Sequence, residues 1–401
     1  MTHVPSFRLR TPMKARDTEE KHRVSSPLEL LFDLTFVAAI AQVALQLAHK
    51  IADGHGSEGI LPFLMVFFAI WWAWMNFTWF ASSYDTDDVP YRLLTMLQMA
   101  GVLVLAAGVP MAFLEDNFTP IVVGYFIMRV ALAAQWIRAG IENPDGRRTA
   151  FRYAGGVLVV QLGWLGRQFL PEDLVVWSFL VLAILELCVP MWAERTGTTS
   201  WHPHHIAERY GLFTIILLGE SVLAATTGVQ TALESGLSLE LVTVGVSALV
   251  LLFALWWLYF LEPAGDGLEN HRNLSYVWGY GHYGVFAALA AIGAGLEVSV
   301  EAVGEHLEVA PTVVGYAVAI PVGVFLILLW AVHARLVNDL VISPAIILPA
   351  AVIVLLIPLA TPVLTLTGVV IAVALVCVLV VVATIMRKIR RRDAAEATVA
   401  A

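Results

Sequence analysis

Ionisable residues suited to chemistry are concentrated in two short segments, each of which opens a long apolar run. Residues 25–33 carry Glu29 and Asp33, and residues 202–221 carry a larger set: His202, His204, His205, Glu208, Arg209 and Glu220. An ionisable side chain in hydrocarbon costs roughly 2.5–3.5 kcal/mol on insertion scales, so it marks a function or a necessary partner. Side chains of these types can bind protons, hold a cation or pair with an anion.

The first segment combines a helix start with two carboxylates. Ser26 and Pro27 are typical of a helix N-terminus, where an acid such as Glu29 interacts favourably with the helix dipole. That explanation fits Asp33 less well, because Asp33 lies more than a full turn inside the apolar run. Glu29 and Asp33 are spaced i, i+4 and therefore face the same side of the helix. We interpret the pair as the contact of a partner cation or as an ion entrance.

The second segment places ionisable residues along one stripe of a helix. His205 and Arg209 are spaced i, i+4, and Glu220 follows after nearly three further turns, close to the middle of the membrane. Side chains competent to bind a metal also lie here: His202, His204, His205 and Glu208. Their spacing fits none of the usual zinc patterns, so we expect neither a metal nor a cofactor. We interpret the first two histidines as a polar helix cap.

Three further ionisable residues lie inside apolar runs. Arg129 is in the middle of the fourth run and Glu186 is in the inner half of the sixth. Because arginine cannot release its proton, Arg129 needs a partner, and Glu186, Glu220 and Asp33 are the candidates. The pair is either a clamp between helices or part of an anion site or proton path. His282 is either a protonatable group at mid-depth or a buried structural histidine.

The composition is that of a polytopic membrane protein. Of the 401 residues, 59% are hydrophobic and only 14% are charged, far below the roughly 25% charged residues of a soluble domain. A membrane helix needs about 20 apolar residues, and the sequence predicts an all-α bundle of twelve such helices. The predicted segments are 28–50, 60–83, 91–113, 118–140, 150–169, 173–193, 205–228, 238–261, 273–297, 311–334, 344–362 and 365–386.

The distribution of basic residues predicts the orientation. Nearly all of the 23 Lys and Arg lie in the N-terminal tail, in alternate loops or in the C-terminal tail, which places both termini in the cytoplasm. The predicted regions are a basic tail at 1–26, helical halves at 27–193 and 194–386, and a second tail at 387–401. Membrane topology and anionic lipid explain the basic tail, so we expect no nucleic-acid partner. Cys188 and Cys377 lie in apolar runs and predict no disulfide.

Short matches between the two halves predict an internal repeat. Residues 68–72 (Phe-Ala-Ile-Trp-Trp) match residues 253–257 (Phe-Ala-Leu-Trp-Trp), and residues 122–125 match residues 313–316, both reading Val-Val-Gly-Tyr. The matches occur in the same order, which predicts two parallel six-helix halves related by an axis along the membrane normal. Arg129 has no counterpart in the other half, so any chemistry is expected to be asymmetric.

The two ionisable segments carry a family resemblance. Residues 29–37 (Glu-Leu-Leu-Phe-Asp-Leu-Thr-Phe-Val) and residues 205–220 (His-Ile-Ala-Glu-Arg-Tyr-Gly-Leu-Phe-Thr-Ile-Ile-Leu-Leu-Gly-Glu) resemble the signature segments of the bacterial low temperature requirement A (LtrA) family. The resemblance extends from about residue 24 to 386. It implies a multi-pass protein of the inner membrane, in a family linked to growth in the cold and without a settled activity. It supports these signature positions: Glu29, Asp33, His205, Glu208, Arg209 and Glu220.

The sequence favours a transporter or permease of an unknown solute or ion, with proton coupling as one form of it. In this hypothesis Glu220 is the proton or cation site, Arg129 is the counter-charge, and the other signature residues form a cytoplasmic gate. The alternative is a non-transporting protein, either a sensor or scaffold for cold adaptation or a lipid-modifying enzyme with a His/Glu/Arg site. An enzyme is less favoured, because the sequence has no Gly-x-Ser-x-Gly, phosphate-binding loop or zinc motif. The oligomeric state stays open.

Overall fold

The computed structural model describes residues 9–400, except for residues 19, 21–22, 236–237, 263, 305–306, 308 and 337–339. Within these residues all regular structure is helical. The helices are α1 (Pro27–Ala52), α2 (Gly56–Tyr84), α3 (Val89–Leu114), α4 (Thr119–Glu142), α5 (Arg147–Gly166), α6 (Val175–Ala193), α7 (Pro203–Ser235), α8 (Leu239–Phe260), α9 (Ala264–Asn270), α10 (Ser275–Gly304), α11 (Pro311–His333), α12 (Pro344–Leu356) and α13 (Thr361–Ala400).

Much of this helical structure is long and apolar enough to cross a membrane. In the part of the chain that the structure describes, nine helical stretches meet that criterion: Pro27–Ala52, Gly56–Tyr84, Val89–Leu114, Thr119–Glu142, Val175–Thr196, Leu239–Asn270, Arg272–Gly304, Pro311–His333 and Pro344–Arg391. The protein is therefore a multi-pass helical membrane protein. Each of the twelve predicted segments lies on a helix. The number of crossings and the side on which the termini lie remain predictions.

The last of these stretches contains a break in the backbone. Helix α12 ends at Leu356, a 3₁₀ turn covers Ile357–Ala360, and α13 follows directly. Thr365 has φ +62° and ψ 170°, a non-helical conformation that is uncommon for a β-branched residue. The break lies next to the boundary between the eleventh and twelfth predicted membrane segments, 344–362 and 365–386.

The chain forms two compact units. The first comprises Met1–Val43 and Met65–Arg209, and the second comprises Ala44–Leu64 and Tyr210–Ala401. Helices α1, α2 and α7 each contribute residues to both units. The predicted division into parallel halves at residue 193, and the repeat behind it, remain predictions.

Helix α4 packs closely against α3 and α5 in the first unit. A Cβ atom on Gly124 of α4 would lie 2.6 Å from the carbonyl oxygen of Gly101 on α3, so only glycine allows the two backbones to approach this closely. On the other side of α4, the rings of Trp136 and Tyr153 stack with centroids 4.2 Å apart and join α4 to α5. These contacts fix the helices that surround the charged residues of this unit.

Candidate functional site

The start of α1 holds Glu29 in a fixed position. The Ser26 hydroxyl accepts a hydrogen bond from the Glu29 N–H at 3.3 Å, and Glu29 Oε2 accepts one from the Ser26 N–H at 2.8 Å. This reciprocal arrangement is a capping box, and Pro27 occupies the first helical position. One oxygen of Glu29 is thus used by the helix start, and Oε1 is left for other partners.

Glu29 belongs to a buried cluster of four ionisable residues in the first unit: Glu29, Asp33, His205 and Arg209. Arg209 Nη1 lies 2.8 Å from Glu29 Oε1, and Arg209 Nη2 lies 2.5 Å from Asp33 Oδ1. His205 Nε2 lies 3.1 Å from the same Glu29 oxygen. Each side chain is 2% exposed or less. Arg209 is thus the partner cation that the two acids of α1 require. We call these residues the four-residue cluster.

Three helices each contribute a pair of residues spaced i, i+4 to this site. Beside the pairs on α1 and α7, helix α2 presents Trp74 and Thr78. Trp74 Nε1 donates a hydrogen bond to Asp33 Oδ1 at 2.8 Å, and Arg209 Nη2 lies 3.4 Å from the Thr78 hydroxyl. The sequence pattern does not single out Trp74 as part of the site. The chemistry of the Trp74 side chain could have indicated the contact with Asp33, because a buried indole N–H usually needs a hydrogen-bond acceptor.

The net charge of the four-residue cluster is zero only when the cluster carries one proton. The two carboxylates and the permanent guanidinium sum to one negative charge, and a proton on His205 or on a carboxyl group makes the set neutral. Burying a net charge is costly, which favours the protonated set. Arg23 lies within electrostatic range of Glu29 and His205 and lowers the cost of the proton-free set. The net charge of the cluster therefore changes between minus one and zero when one proton binds.

The N-terminal segment packs onto the first unit, which the sequence did not reveal. We call the described residues of this segment, 10–18, 20 and 23–25, the strap. Arg23 donates hydrogen bonds to the carbonyl oxygens of Ala81 and Ser82, and the Arg16 N–H donates to the carbonyl of Ser83. The strap thereby satisfies carbonyl groups in the last turn of α2, which have no partner within the helix.

A second group of contacts fixes the beginning of the strap. Asp88 accepts hydrogen bonds from the N–H of Thr11 and from Arg138, and these bonds lower the pKa of Asp88 against the effect of its burial. The Met13 N–H donates to Glu142 at 2.7 Å, and the Met13 side chain is buried. Thr11 and Met13 of the basic tail are therefore fixed by contacts with the helical part of the first unit.

Two other residues of the second segment serve the start of α7. His202 Nδ1 accepts a hydrogen bond from the His205 N–H at 3.3 Å, as predicted for a helix cap. Burial lowers the pKa of His202, which keeps the ring neutral and its nitrogen able to accept. Glu208 is half-buried and accepts a hydrogen bond from the Ser25 N–H of the strap at 3.3 Å. Glu208 thus contacts the strap and lies outside the four-residue cluster.

Arg129 pairs with Glu186, which resolves the choice among its three candidate partners. Arg129 Nη2 lies 2.6 Å from Glu186 Oε2, and both side chains are at most 1% exposed. Three neutral donors complete the shell of the carboxylate: Trp72 Nε1 at 2.9 Å, the Tyr125 hydroxyl at 2.9 Å and Trp164 Nε1 at 3.2 Å. The donors come from α2, α4 and α5, so this pair links four helices.

The space beside this pair is small. A cavity of about 30 Å³ is lined by Arg167 and otherwise by aromatic and apolar side chains, Tyr125 and Trp164 among them. Such a volume holds about one water molecule. Two of the donors to Glu186 thus border a space too small for a solute.

His282 lies in the second unit with well-defined partners. Its Nδ1 donates to the carbonyl oxygen of Trp278 at 2.7 Å, which leaves Nε2 as the acceptor for the Tyr259 hydroxyl at 3.2 Å. The ring of His333 lies 6.2 Å from that of His282, and its Nδ1 bonds the carbonyl of Leu329. Both histidines are buried and are held by their own helices.

Glu220 is half-buried on α7 and also belongs to the second unit. Its charge and that of Glu301 both act on Glu297 of α10. The two helices approach closely nearby, because a Cβ atom on Gly293 would lie 2.8 Å from the Ser221 hydroxyl. Glu220 therefore has an acidic neighbour, Glu297, on α10.

Comparisons with known proteins agree with this architecture. The family described as bacterial low temperature requirement A protein (LtrA) matches residues 24–383. An uncharacterized protein of Rhizobium meliloti (strain 1021) is 27% identical over 302 residues, which cover 71% of each chain. No solved structure matches the chain. The family match spans nearly the whole sequence and includes every residue of the four-residue cluster, and the chain therefore belongs to the bacterial low temperature requirement A family.

Proposed function

We propose that this protein is a proton-coupled transporter of a small solute in the inner membrane, and that the four-residue cluster is its proton-binding site. The observation that carries the proposal is the charge count of the cluster. Two carboxylates share one permanent cation, and a histidine lies 3.1 Å from one of them. Ionisable residues inside a membrane protein commonly serve as proton relays, and this set changes its net charge by one when a proton binds.

The other ionisable residues take different roles in this proposal. Glu186 accepts four hydrogen bonds, which favours a structural clamp for the pair with Arg129. His282 is likewise held by its own helix and by Tyr259. Glu220 has the acidic neighbour Glu297 and remains our candidate contact for a cation. We therefore assign the proton-binding site to the four-residue cluster and no longer to Glu220.

Transport can be tested before the solute is identified. Proteoliposomes loaded with a pH-sensitive dye are exposed in turn to cations, amino acids, sugars and osmolytes, and the internal pH is followed. We expect at least one solute to move protons in the wild type. His205→Gln and Asp33→Asn should abolish that signal, because the first removes an exchangeable site and the second leaves a cluster that is neutral without a proton.

Asp145→Asn is the matched control, since Asp145 is an exposed loop carboxylate of the same unit. Its proton signal should equal that of the wild type. The proposal fails if no tested solute moves protons in the wild type, or if both cluster variants transport as well as the control. Proton binding to the purified protein without any solute flux would favour a membrane pH sensor.

A further inference from the structure

Two ionisable residues of the first unit, Asp85 and Tyr91, lie outside the four-residue cluster. We propose that Asp85 and Tyr91 form the proton entrance of the cluster and that the strap holds this entrance in place. The inference rests on the proton-binding role proposed above. It assigns a function to a buried phenol and a loop carboxylate that the cluster itself does not use.

Tyr91 has a buried hydroxyl group without a structural task. The side chain is 1% exposed, and its hydroxyl has no hydrogen-bond partner among the described residues. Leaving a buried polar group unpaired costs about 1–3 kcal/mol. The buried phenols of Tyr84 and Tyr125, in contrast, are bonded to Asn143 and Glu186.

The position of Tyr91 is fixed by its surroundings. Its N–H is bonded to Asp88 at 3.0 Å in the first turn of α3, and its ring stacks on Phe80 with centroids 6.3 Å apart. The phenol lies within electrostatic range of two carboxylates, Asp85 and Glu29. One of these belongs to the loop after α2 and the other to the four-residue cluster.

Asp85 has the properties of a group that takes up and releases protons. Its Oδ2 lies 3.1 Å from Arg16 Nη1 of the strap, and its side chain is 10% exposed. Its Oδ1 is buried and has no hydrogen-bond partner in the described part of the chain. Burial raises the pKa of Asp85 to about 6, so the carboxyl group can change its protonation state near neutral pH.

The charged and titratable groups that face Asp85 come from every element around it: Arg16 and Arg23 of the strap, Glu29 of α1, Asp87 of the loop and Tyr91 of α3. The Glu29 carboxylate favours the protonated form of Asp85, whereas the two guanidinium groups favour the anion. The arginines of the strap therefore favour release of the Asp85 proton, against the larger effect of burial.

The transfer is balanced without any further reactant. No hydrogen bond joins the described Asp85, Tyr91 and Glu29 side chains, so bridging water molecules carry the proton between them. The Asp85 carboxyl group gives its proton through water to the Tyr91 oxygen, while Tyr91 passes its own hydroxyl proton through water to the Glu29 carboxylate. Tyr91 ends as the neutral phenol, Asp85 as the anion and Glu29 as the acid. Asp85 is then reprotonated from water, and the proton on Glu29 can pass to His205, 3.1 Å away.

The test separates the rate of protonation from its extent. Protein in lipid bilayers is acidified by a light-triggered proton source from above to below pH 6, and the carboxylic C=O stretching band is followed by time-resolved infrared spectroscopy. The contribution of the cluster is the part lost when Glu29→Gln, Asp33→Asn and His205→Gln are combined. We expect Tyr91→Phe and Asp85→Asn to slow the rise of that part about 10²-fold or more while its final amplitude stays unchanged.

Two matched variants serve as controls. Tyr84→Phe removes a buried phenol that is already bonded to Asn143, and Asp145→Asn removes an exposed loop carboxylate of the same unit. Both should protonate at the wild-type rate. Wild-type rates in Tyr91→Phe and Asp85→Asn would overturn the entrance, and if Tyr91→Phe does not fold, Asp85→Asn decides alone. A wild type that shows no cluster signal even at equilibrium would instead overturn the proposed proton site.

Discussion

Arg209 and Asp33 allow the charge count of the four-residue cluster to be tested by stability alone. Arg209 contacts Glu29 at 2.8 Å and Asp33 at 2.5 Å. At an effective dielectric constant of about 20, each contact corresponds to about 6 kcal/mol of gross attraction. Desolvation of the buried ions offsets much of this, and removing one partner of a buried pair typically costs about 3–5 kcal/mol. We expect Arg209→Met to destabilise the protein by about that amount.

Asp33→Asn should behave differently in the two backgrounds. In the wild type it removes a charged contact but leaves Arg209 paired with Glu29, so we expect a cost of about 1–3 kcal/mol. In the Arg209→Met background the same change removes a carboxylate that has lost its cation, and it should be neutral or stabilising. The coupling energy between the two positions is therefore expected to be about 2 kcal/mol or more.

The measurement is a double-mutant cycle on the free energy of unfolding in mixed micelles, with denaturing detergent as the variable. The control cycle uses Arg92 and Asp87, whose side chains are 42% and 49% exposed, and should give less than about 1 kcal/mol. Additive effects at Arg209 and Asp33, equal to those of the control cycle, would refute the interpretation that the two acids share one cation.

Three further outcomes follow from the structure. Gly124→Ala should lower the thermal stability clearly, because a Cβ atom there meets the backbone of α3, whereas Gly155→Ala, with open space around it, should not. Glu186→Gln should destabilise by about 3–5 kcal/mol by leaving Arg129 uncompensated, without changing proton uptake by the four-residue cluster. The pKa of Asp85 is raised to about 6 in the folded state. Its contribution to the free energy of unfolding is therefore complete below about pH 4 and is lost as the pH rises through about 6, a fall of order 3 kcal/mol. Unfolding titrations of an Asp85→Asn variant should not show this fall.

The cluster was partly accessible from the sequence because its residues violate the apolar pattern. Charges at i, i+4 on two helices need partners, and that requirement singled out Glu29, Asp33, His205 and Arg209 before any contact was known. Which charges meet could not be derived, since it depends on how distant helices pack. Arg129 had three acceptable partners by the same rule, and only the packing of its helix against α6 selects Glu186.

Other parts of the site leave no clear mark in the sequence. Trp74 looks like any other aromatic residue of an apolar helix, although its N–H bonds Asp33. The strap looks like a basic tail that topology and anionic lipid explain. The Arg23 side chain binds backbone carbonyl groups of α2, which water could satisfy equally well, so no sequence pattern indicates the contact. Asp85 and Tyr91 gain their properties only from the groups around them.

Proton counting tests the central claim most directly. The purified wild type and the Asp33→Asn variant are titrated side by side in detergent micelles, and the protons bound per chain are counted. Because Asp33→Asn makes the four-residue cluster neutral without a proton, the wild type should take up one more proton per chain over the whole acid titration. Identical proton uptake by the two proteins would contradict the proposal that the cluster is the proton-binding site.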